Sequence, residues 1–285
     1  MRICRFDDDR LGLVDGETIH DVSAALERLP QVRYPFPRHD ALIAHLEELR
    51  AHLDALAKNR PAIPLERVKL LSPVANPGKI MAAPVNYKRH LEEALADKGI
   101  HHGNLVLEIQ KAGLFLKATS SLAGPGEGVR LVHTDRRNDH EVELAVIIGK
   151  RGRNISRDEA MAHVAGYCIG LDITIRGPEE RSLRKSPDSY CVLGPWLVTR
   201  DEIADPANLS LRIEVNGELR QAAHTSELIL GVPQLIEWAS SFYTLHPGDV
   251  LLTGTPQGVG PVRAGDVMTA SIERIGAMRV PVFAA

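Results

Sequence analysis

Glu141 and Glu143 stand one residue apart in the stretch NDHEVELAVIIGK, residues 138–150, at the entrance to the apolar run Leu144–Ile148. A strand alternates its faces, so residues two apart point the same way. Two like charges side by side next to a buried run repel each other and call for a counter-charge. A third acid, Asp172, lies in GYCIGLDITIR among apolar and β-branched neighbours, where a carboxylate is costly unless paired or metal-bound. Three carboxylates with no Cys pair or His-x-x-x-His nearby form an oxygen-rich set that suits Mg²⁺, Mn²⁺ or Ca²⁺. About three positions of an octahedron would stay open to water or substrate, as in a catalytic site. The same acid pattern equally suits a solvated edge strand paired with Arg136 or Arg137, and spacing alone does not bring Asp172 to the pair.

Three further stretches carry candidate groups. PVNYKRHLEEALADKG reads as a helix beginning near Asn86, which could cap it. His90 and Glu93 fall at i and i+3, on one face. A glutamate there can fix the imidazole tautomer and raise its basicity, making a base that activates water; an ordinary surface pair has the same spacing. In DITIRGPEERSLRKSPDSY, Arg176, Arg181, Arg184 and Lys185 could bind a carboxylate or stabilise an oxyanion, or form a solvated basic loop. PGDVLLTGTPQGVGPV demands special backbone angles. Its N–H groups with Thr255 could hold a carboxylate, or it is a hairpin with tight turns; without a Walker lysine it is not a nucleotide loop. DKGIHHGNLVLEIQKAGLFLK shapes a lid, with the adjacent His101 and His102 read as solvated.

The elements that must position these groups are mainly strands. MRICRF and RLGLVDGETIHDV read as short strands, with a turn at Asp15-Gly16. Leu42, Leu46, Leu49, Leu53 and Leu56 repeat at helical spacing. Pro61, Pro64, Pro73 and Pro77 mark a connector rather than a regular element, and a domain boundary falls in it. Beyond it, VELAVIIG, AGYCIGLDITI, GPWLVT, LSLRIEVNGEL, DVLLTGT and VMTASIERIG are short and rich in β-branched residues. SRDEAMAHVA, with Ser156 and Glu159 as a capping box, and VPQLIEWASSFYTL read as helices. No regular βαβ alternation is present, so the class is β-rich α+β rather than doubly wound.

Composition excludes several functions. A chain of 285 residues with a net charge of −3 has no electrostatic footprint for nucleic acid. No apolar run reaches membrane-span length, and the start MRICRFDDDR lacks a signal peptide's apolar stretch. Cys4, Cys168 and Cys191 are widely spaced, without zinc spacing, and read as buried thiols in a reducing cytoplasm.

Taken in order, NYKRHLEE, FLKATSSLAGPGEGV, HEVELAVIIGK, GYCIGLDITIR, RKSPDSYCVLGPWLVT, VNGELRQ and LHPGDVLLTGTPQGVG resemble the fumarylacetoacetate hydrolase family, which includes acylpyruvate hydrolases, across residues 79–282. The resemblance implies a mixed β-roll or sandwich over residues 71–285 with a small α/β N-terminal domain, residues 1–70, and a homodimer. It implies that Glu141, Glu143 and Asp172 bind Mg²⁺ or Mn²⁺, with Ca²⁺ admitted in a crystal. It makes His90 and Glu93 a water-activating dyad on a lid helix, sets Lys185 against the substrate's oxygens, and puts Arg176, Gly254 and Thr255 in the substrate pocket.

The implied reaction is hydrolysis of a C–C bond in a small acidic β-diketo substrate (a fumarylacetoacetate, acylpyruvate or 2,4-dioxo acid) through an enolate held at the metal. The alternatives are an isomerase or decarboxylase acting on a hydroxymuconate or oxaloacetate-like acid, and, from another class, a non-catalytic metal- or ligand-binding protein. Two departures stand out. The run after Arg176 is RGPEE, where family members carry R-D-x-Q. Gly177 therefore replaces an aspartate and Glu179 a substrate-contacting glutamine, and Glu179 would repel a carboxylate unless Arg181 or Arg184 neutralises it. His224 stands where asparagine is common.

Overall fold

In the computed structural model, which describes residues 1–285, a 12-stranded mixed sheet runs through the molecule. Its centre is three long antiparallel neighbours, Val142–Ile148, Val164–Asp172 and Cys191–Thr199. These strands are apolar at nearly every position because both faces of the sheet are covered. Leu144, Val146 and Ile148 point into a large core shared with a five-stranded sheet that contains Ser210–Val215 and Val267–Ile272. Ala145 and Ile147 point the other way, into a second core closed by Leu46, Leu49 and Leu53 of the helix Leu46–Lys58. Strand alternation thus sorts one run of residues into two cores, and Glu143 has the parity of Ala145 and Ile147.

The sheet continues on both sides of this centre. Arg2–Phe6 pairs antiparallel with Cys191–Thr199, so the N-terminal segment shares a sheet with the rest of the chain. On the other side Val250–Leu252 pairs with Val142–Ile148 and, in parallel, with Ile80–Ala82, which pairs with Phe115–Lys117. A three-stranded sheet joins Thr174–Ile175, Asn138–His140 and Gly260–Pro261, and so ties the segments flanking the acids to the glycine-rich loop. No helix is long and apolar enough to cross a membrane.

Three local expectations are corrected. The proline-rich connector carries two short strands, Ala62–Pro64 and Leu70–Leu71, where sheet edges accept it. SRDEAMAHVA forms only the 3₁₀ turn Ala160–His163, and Ser156 Oγ donates to the Glu159 carboxylate (2.9 Å) instead of capping backbone. Asn86 does not cap the helix Lys88–Ala96; its side chain is buried and bonds Leu230 N, Leu230 O and Thr253 O.

Candidate active site

The antiparallel register explains how distant acids meet. Val142 faces Leu171 and Glu143 faces Gly170, so Glu141 and Asp172 fall opposite each other at the strand ends. The Asp172 N–H donates to the Glu141 carbonyl at 2.9 Å. Glu141, Glu143 and Asp172 are all buried, and each offers an oxygen within 4.8 Å of the others. The solvated edge strand, with partners Arg136 or Arg137, is therefore not what forms.

Cations surround two of the three acids. Lys185 Nζ donates to Glu141 Oε2 (2.7 Å), Asp172 Oδ2 (2.7 Å) and Thr174 Oγ1 (2.6 Å), so all three of its protons are engaged. Arg176 donates to Glu141 Oε1 and to Asp139 Oδ2, both at 2.8 Å. Lys117 Nζ donates to Asp172 Oδ1 at 2.5 Å and also to the Lys185 carbonyl. Burial pushes the Glu141 carboxyl up, but Lys185 and Arg176 more than offset this and hold it below the usual carboxylate range. Glu143 has no cation of its own. Burial, then the charges of Asp172 and Glu141, push its carboxyl well above the ordinary range. Its one charge-assisted bond comes from the Gly254 N–H, 2.6 Å from Glu143 Oε2.

An oxygen-only set of three buried carboxylates, one lacking a cation, fits a hard divalent ion. Gly254 is central to this arrangement. Its φ of +99° is one that L side chains rarely adopt, and an added Cβ would lie 2.7 Å from Asn86 Cβ. Gly254, expected in the substrate pocket, directs its N–H to Glu143. Thr255 does line the cavity, its hydroxyl donating to the Val142 carbonyl (3.0 Å) and accepting from Gln221 (2.8 Å).

His90 opens onto the same cavity from the helix Lys88–Ala96. Its Nδ1 lies 2.9 Å from Glu93 Oε2, while Glu93 Oε1 accepts the Gly258 N–H at 2.9 Å. Nδ1 is therefore committed, and Nε2 is the nitrogen left for a ligand. His101, expected to be solvated, also lines the cavity.

Glu179 is placed differently from expectation. Its carboxylate takes two bonds from Arg136 (3.0 and 2.8 Å), not from Arg181 or Arg184, and does not line the cavity. Arg136 holds its pKa below the ordinary value. Gly177 makes this possible, because a Cβ there would collide with the Arg136 guanidinium and the Glu179 carboxylate. The two departures in RGPEE are therefore one structural unit. His224 hydrogen-bonds Ser226 at a short 3₁₀ turn and is absent from the cavity wall.

Sequence reasoning missed Lys117, Asp139 and Gln221. Lysine in FLK, inside a strand flanked by Phe115, was the available signal. Gln221 gave none: it is buried and joins Thr255 and the Pro256 carbonyl to the Val142 N–H and His140.

Residues 79–283 match the family model described as fumarylacetoacetate (FAA) hydrolase C-terminal. Over 284 residues the chain is 62% identical to a maleylpyruvate hydrolase of Aquipseudomonas alcaligenes, covering 99% of each. It is 37% identical to a mitochondrial oxaloacetate tautomerase of Xenopus laevis, over 95% of this chain and 85% of that protein. Among solved structures, the maleylpyruvate hydrolase from Sphingobium sp. SYK-6, in complex with manganese(II) and pyruvate, superposes with a TM-score of 0.85 at 40% identity, covering all of both chains.

Proposed function

The chain belongs to the fumarylacetoacetate hydrolase family, and from that premise we propose that it is a divalent-metal-dependent hydrolase that cleaves the C–C bond of an acylpyruvate, with maleylpyruvate as the substrate. The observation that carries this reading is one cavity wall holding both the acid triad and the His90 imidazole. A scaffold or ligand-binding protein needs no oriented imidazole beside its metal ligands.

We assign Glu141, Glu143 and Asp172 as the ligands, with Mg²⁺ as the ion used in the cell. When bound, the ion supplies Lewis-acid stabilisation of negative charge on a keto acid. His90 takes a proton from water at Nε2, with Glu93 fixing the tautomer and stabilising the imidazolium. The water oxygen bonds to the acyl carbonyl carbon. The bond from that carbon to the pyruvate methylene then breaks, its electron pair passing to the enolate of pyruvate, which takes up a proton. The products are pyruvate and one carboxylic acid. Lys185 keeps Glu141 and Asp172 together, and it reaches a substrate oxygen by releasing Thr174. Arg176 locks Glu141, and Thr255 shapes the wall beside Val142.

A second reading, tautomerisation of an oxaloacetate-like acid, is favoured by the similarity to the Xenopus laevis protein. That reaction consumes no water. Following enol absorbance with Mn²⁺ and then with EDTA, with products identified, separates the two: hydrolysis yields pyruvate and maleate, whereas tautomerisation yields no new acid. We further propose a homodimer in a reducing cytoplasm, which suits three free, buried thiols, and residues 1–70 as an accessory unit to the catalytic part.

A further inference from the structure

The cations around the cavity are not equally committed. Lys185, Lys117 and Arg176 are bound to carboxylates, and Arg136 and Arg137 are paired with Glu179 and with Asp97 and Asp139. Arg184 lines the cavity but is tethered to the backbone carbonyls of Glu179 (2.8 Å) and Ile175 (3.3 Å). Arg181 alone among these has neither a hydrogen bond nor an ion pair. Its guanidinium stands 5.6 Å from the centroid of the Phe115 ring, within the cavity wall. Lys185 Nζ lies over the same ring at 5.4 Å, so Arg181 is set beside the acid cluster rather than on it.

From this placement we infer that Arg181 binds the carboxylate at the far end of the acyl chain and selects acylpyruvates that are dicarboxylic. The inference rests on the acylpyruvate reading above. The pyruvate end of the substrate belongs at the three acids. An acyl chain ending in a methyl group offers Arg181 nothing, whereas one ending in a carboxylate offers a partner for its planar fork of donors. Burial pushes the Arg181 pKa down, and the charges of Glu141, Glu180 and Asp172, none of them in an ion pair with it, only partly offset this. A guanidinium stays charged under these conditions, so an arriving carboxylate removes a standing electrostatic penalty. The guanidinium over the Phe115 ring is held there by a cation–π contact before substrate arrives.

The test compares maleylpyruvate with 2,4-dioxopentanoate, which has no second carboxylate, on manganese-loaded wild type, Arg181→Met and Arg181→Lys. Arg181→Met is expected to lower kcat/KM on maleylpyruvate by on the order of 10²-fold, mostly through KM, since removal of a partner leaves a charged group unpaired. The loss on 2,4-dioxopentanoate should be at least about tenfold smaller, and Arg181→Lys should recover part of the difference. Equal losses on the two acids would overturn the inference and make Arg181 a general structural residue. If wild type cleaves neither acid, the hydrolase reading fails separately. Calorimetric binding then decides: a preference for maleylpyruvate that vanishes in Arg181→Met sustains the inference, and equal affinities overturn it.

Discussion

Asp172 reaches Glu141 through the backbone: its N–H donates to the Glu141 carbonyl at 2.9 Å, at the end of an antiparallel pair that sets Glu143 against Gly170. The placement of the third acid is therefore a property of strand register. A one-residue slip would turn Asp172 to the opposite face, and the two cores on either side of the sheet forbid that slip. The site is thus fixed by the same alternation that sorts Leu144, Val146 and Ile148 from Ala145 and Ile147.

On the proposed assignment of Glu141, Glu143 and Asp172 as joint ligands, removing one should remove the metal site. Asp172→Asn is expected to weaken Mn²⁺ binding by more than the ~10- to 100-fold typical of losing an outer partner of a ligand. Titration calorimetry with Mn²⁺ measures this directly. Affinity within a few-fold of wild type would mean that Asp172 is a partner of Lys117 and Lys185 only.

Glu143 gives the metal-free protein a pH dependence with a definite sign. Its folded-state pKa is raised, first by burial and then by Asp172 and Glu141. The associated stability is therefore present below the ordinary glutamate range and is lost as pH rises through the raised folded value. Glu143→Gln imitates the protonated form. With EDTA present, it should melt higher than wild type at neutral pH and show a flatter Tm profile between about pH 5 and pH 9. Mn²⁺ should raise the Tm of wild type but not of this variant. A steeper profile, or a metal response equal to wild type, would contradict the assignment of Glu143 as the cation-free ligand.

Lys117 supplies a buried cation that the sequence concealed. Its ammonium joins Asp172 to the Lys185 carbonyl. Lys117→Met fills similar space but leaves a buried carboxylate short of a partner, which costs about 3–5 kcal/mol when one member of a buried pair is removed. Urea unfolding should show that loss, and bound Mn²⁺ should restore part of it by taking over the charge of Asp172. A change below about 1 kcal/mol, as for an exposed pair, would show that the bond contributes little.

The acid-x-acid spacing and the His90–Glu93 helix pair were legible because each lies within one element, where periodicity states which side chains share a face. The convergence of Asp172 on Glu141 was not, since register belongs to two strands at once. Lys117 is some 55 residues from Asp172 in the chain, and only a charge inside an apolar strand hinted at it. Local readings failed where other partners displaced the expected caps: Asn86 serves the distant Leu230 and Thr253 rather than its own helix, and Ser156 bonds the side chain of Glu159, three residues on, rather than backbone. In RGPEE the sequence offers the nearby Arg181 or Arg184 to neutralise Glu179, whereas the arginine that does so, Arg136, lies 43 residues earlier.

Gly254 should tolerate no side chain. An alanine would hold φ near +99° with its Cβ 2.7 Å from Asn86 Cβ and 3.1 Å from the Ala83 carbonyl. Strain of this kind costs about 1–3 kcal/mol, and relieving it would pull the N–H away from Glu143. Gly254→Ala is therefore expected to lower both Tm and Mn²⁺ affinity. A loss of maleylpyruvate binding with metal affinity intact would instead make Gly254 a substrate contact.

His90 and Glu93 can be separated from the proposed metal ligands by what their loss leaves behind. Neither touches Glu141, Glu143 or Asp172 by a hydrogen bond; their bonds run to each other and to the Gly258 N–H. His90→Ala should keep the Mn²⁺-induced rise in Tm while kcat on maleylpyruvate falls by ~10²–10⁴-fold, the usual contribution of a positioned general base. Glu93→Gln carries no charge to stabilise an imidazolium and offers one acceptor oxygen to two donors, the Nδ1–H and the Gly258 N–H; its loss should still be smaller than that of His90→Ala, because the imidazole remains, and its activity should recover as pH rises and hydroxide substitutes for the weakened base. Full hydrolytic activity in His90→Ala on every cleaved acid would show that water is activated elsewhere. Loss of hydrolysis with oxaloacetate tautomerisation retained would show that one metal site serves both chemistries and that the imidazole is what adds water to the reaction.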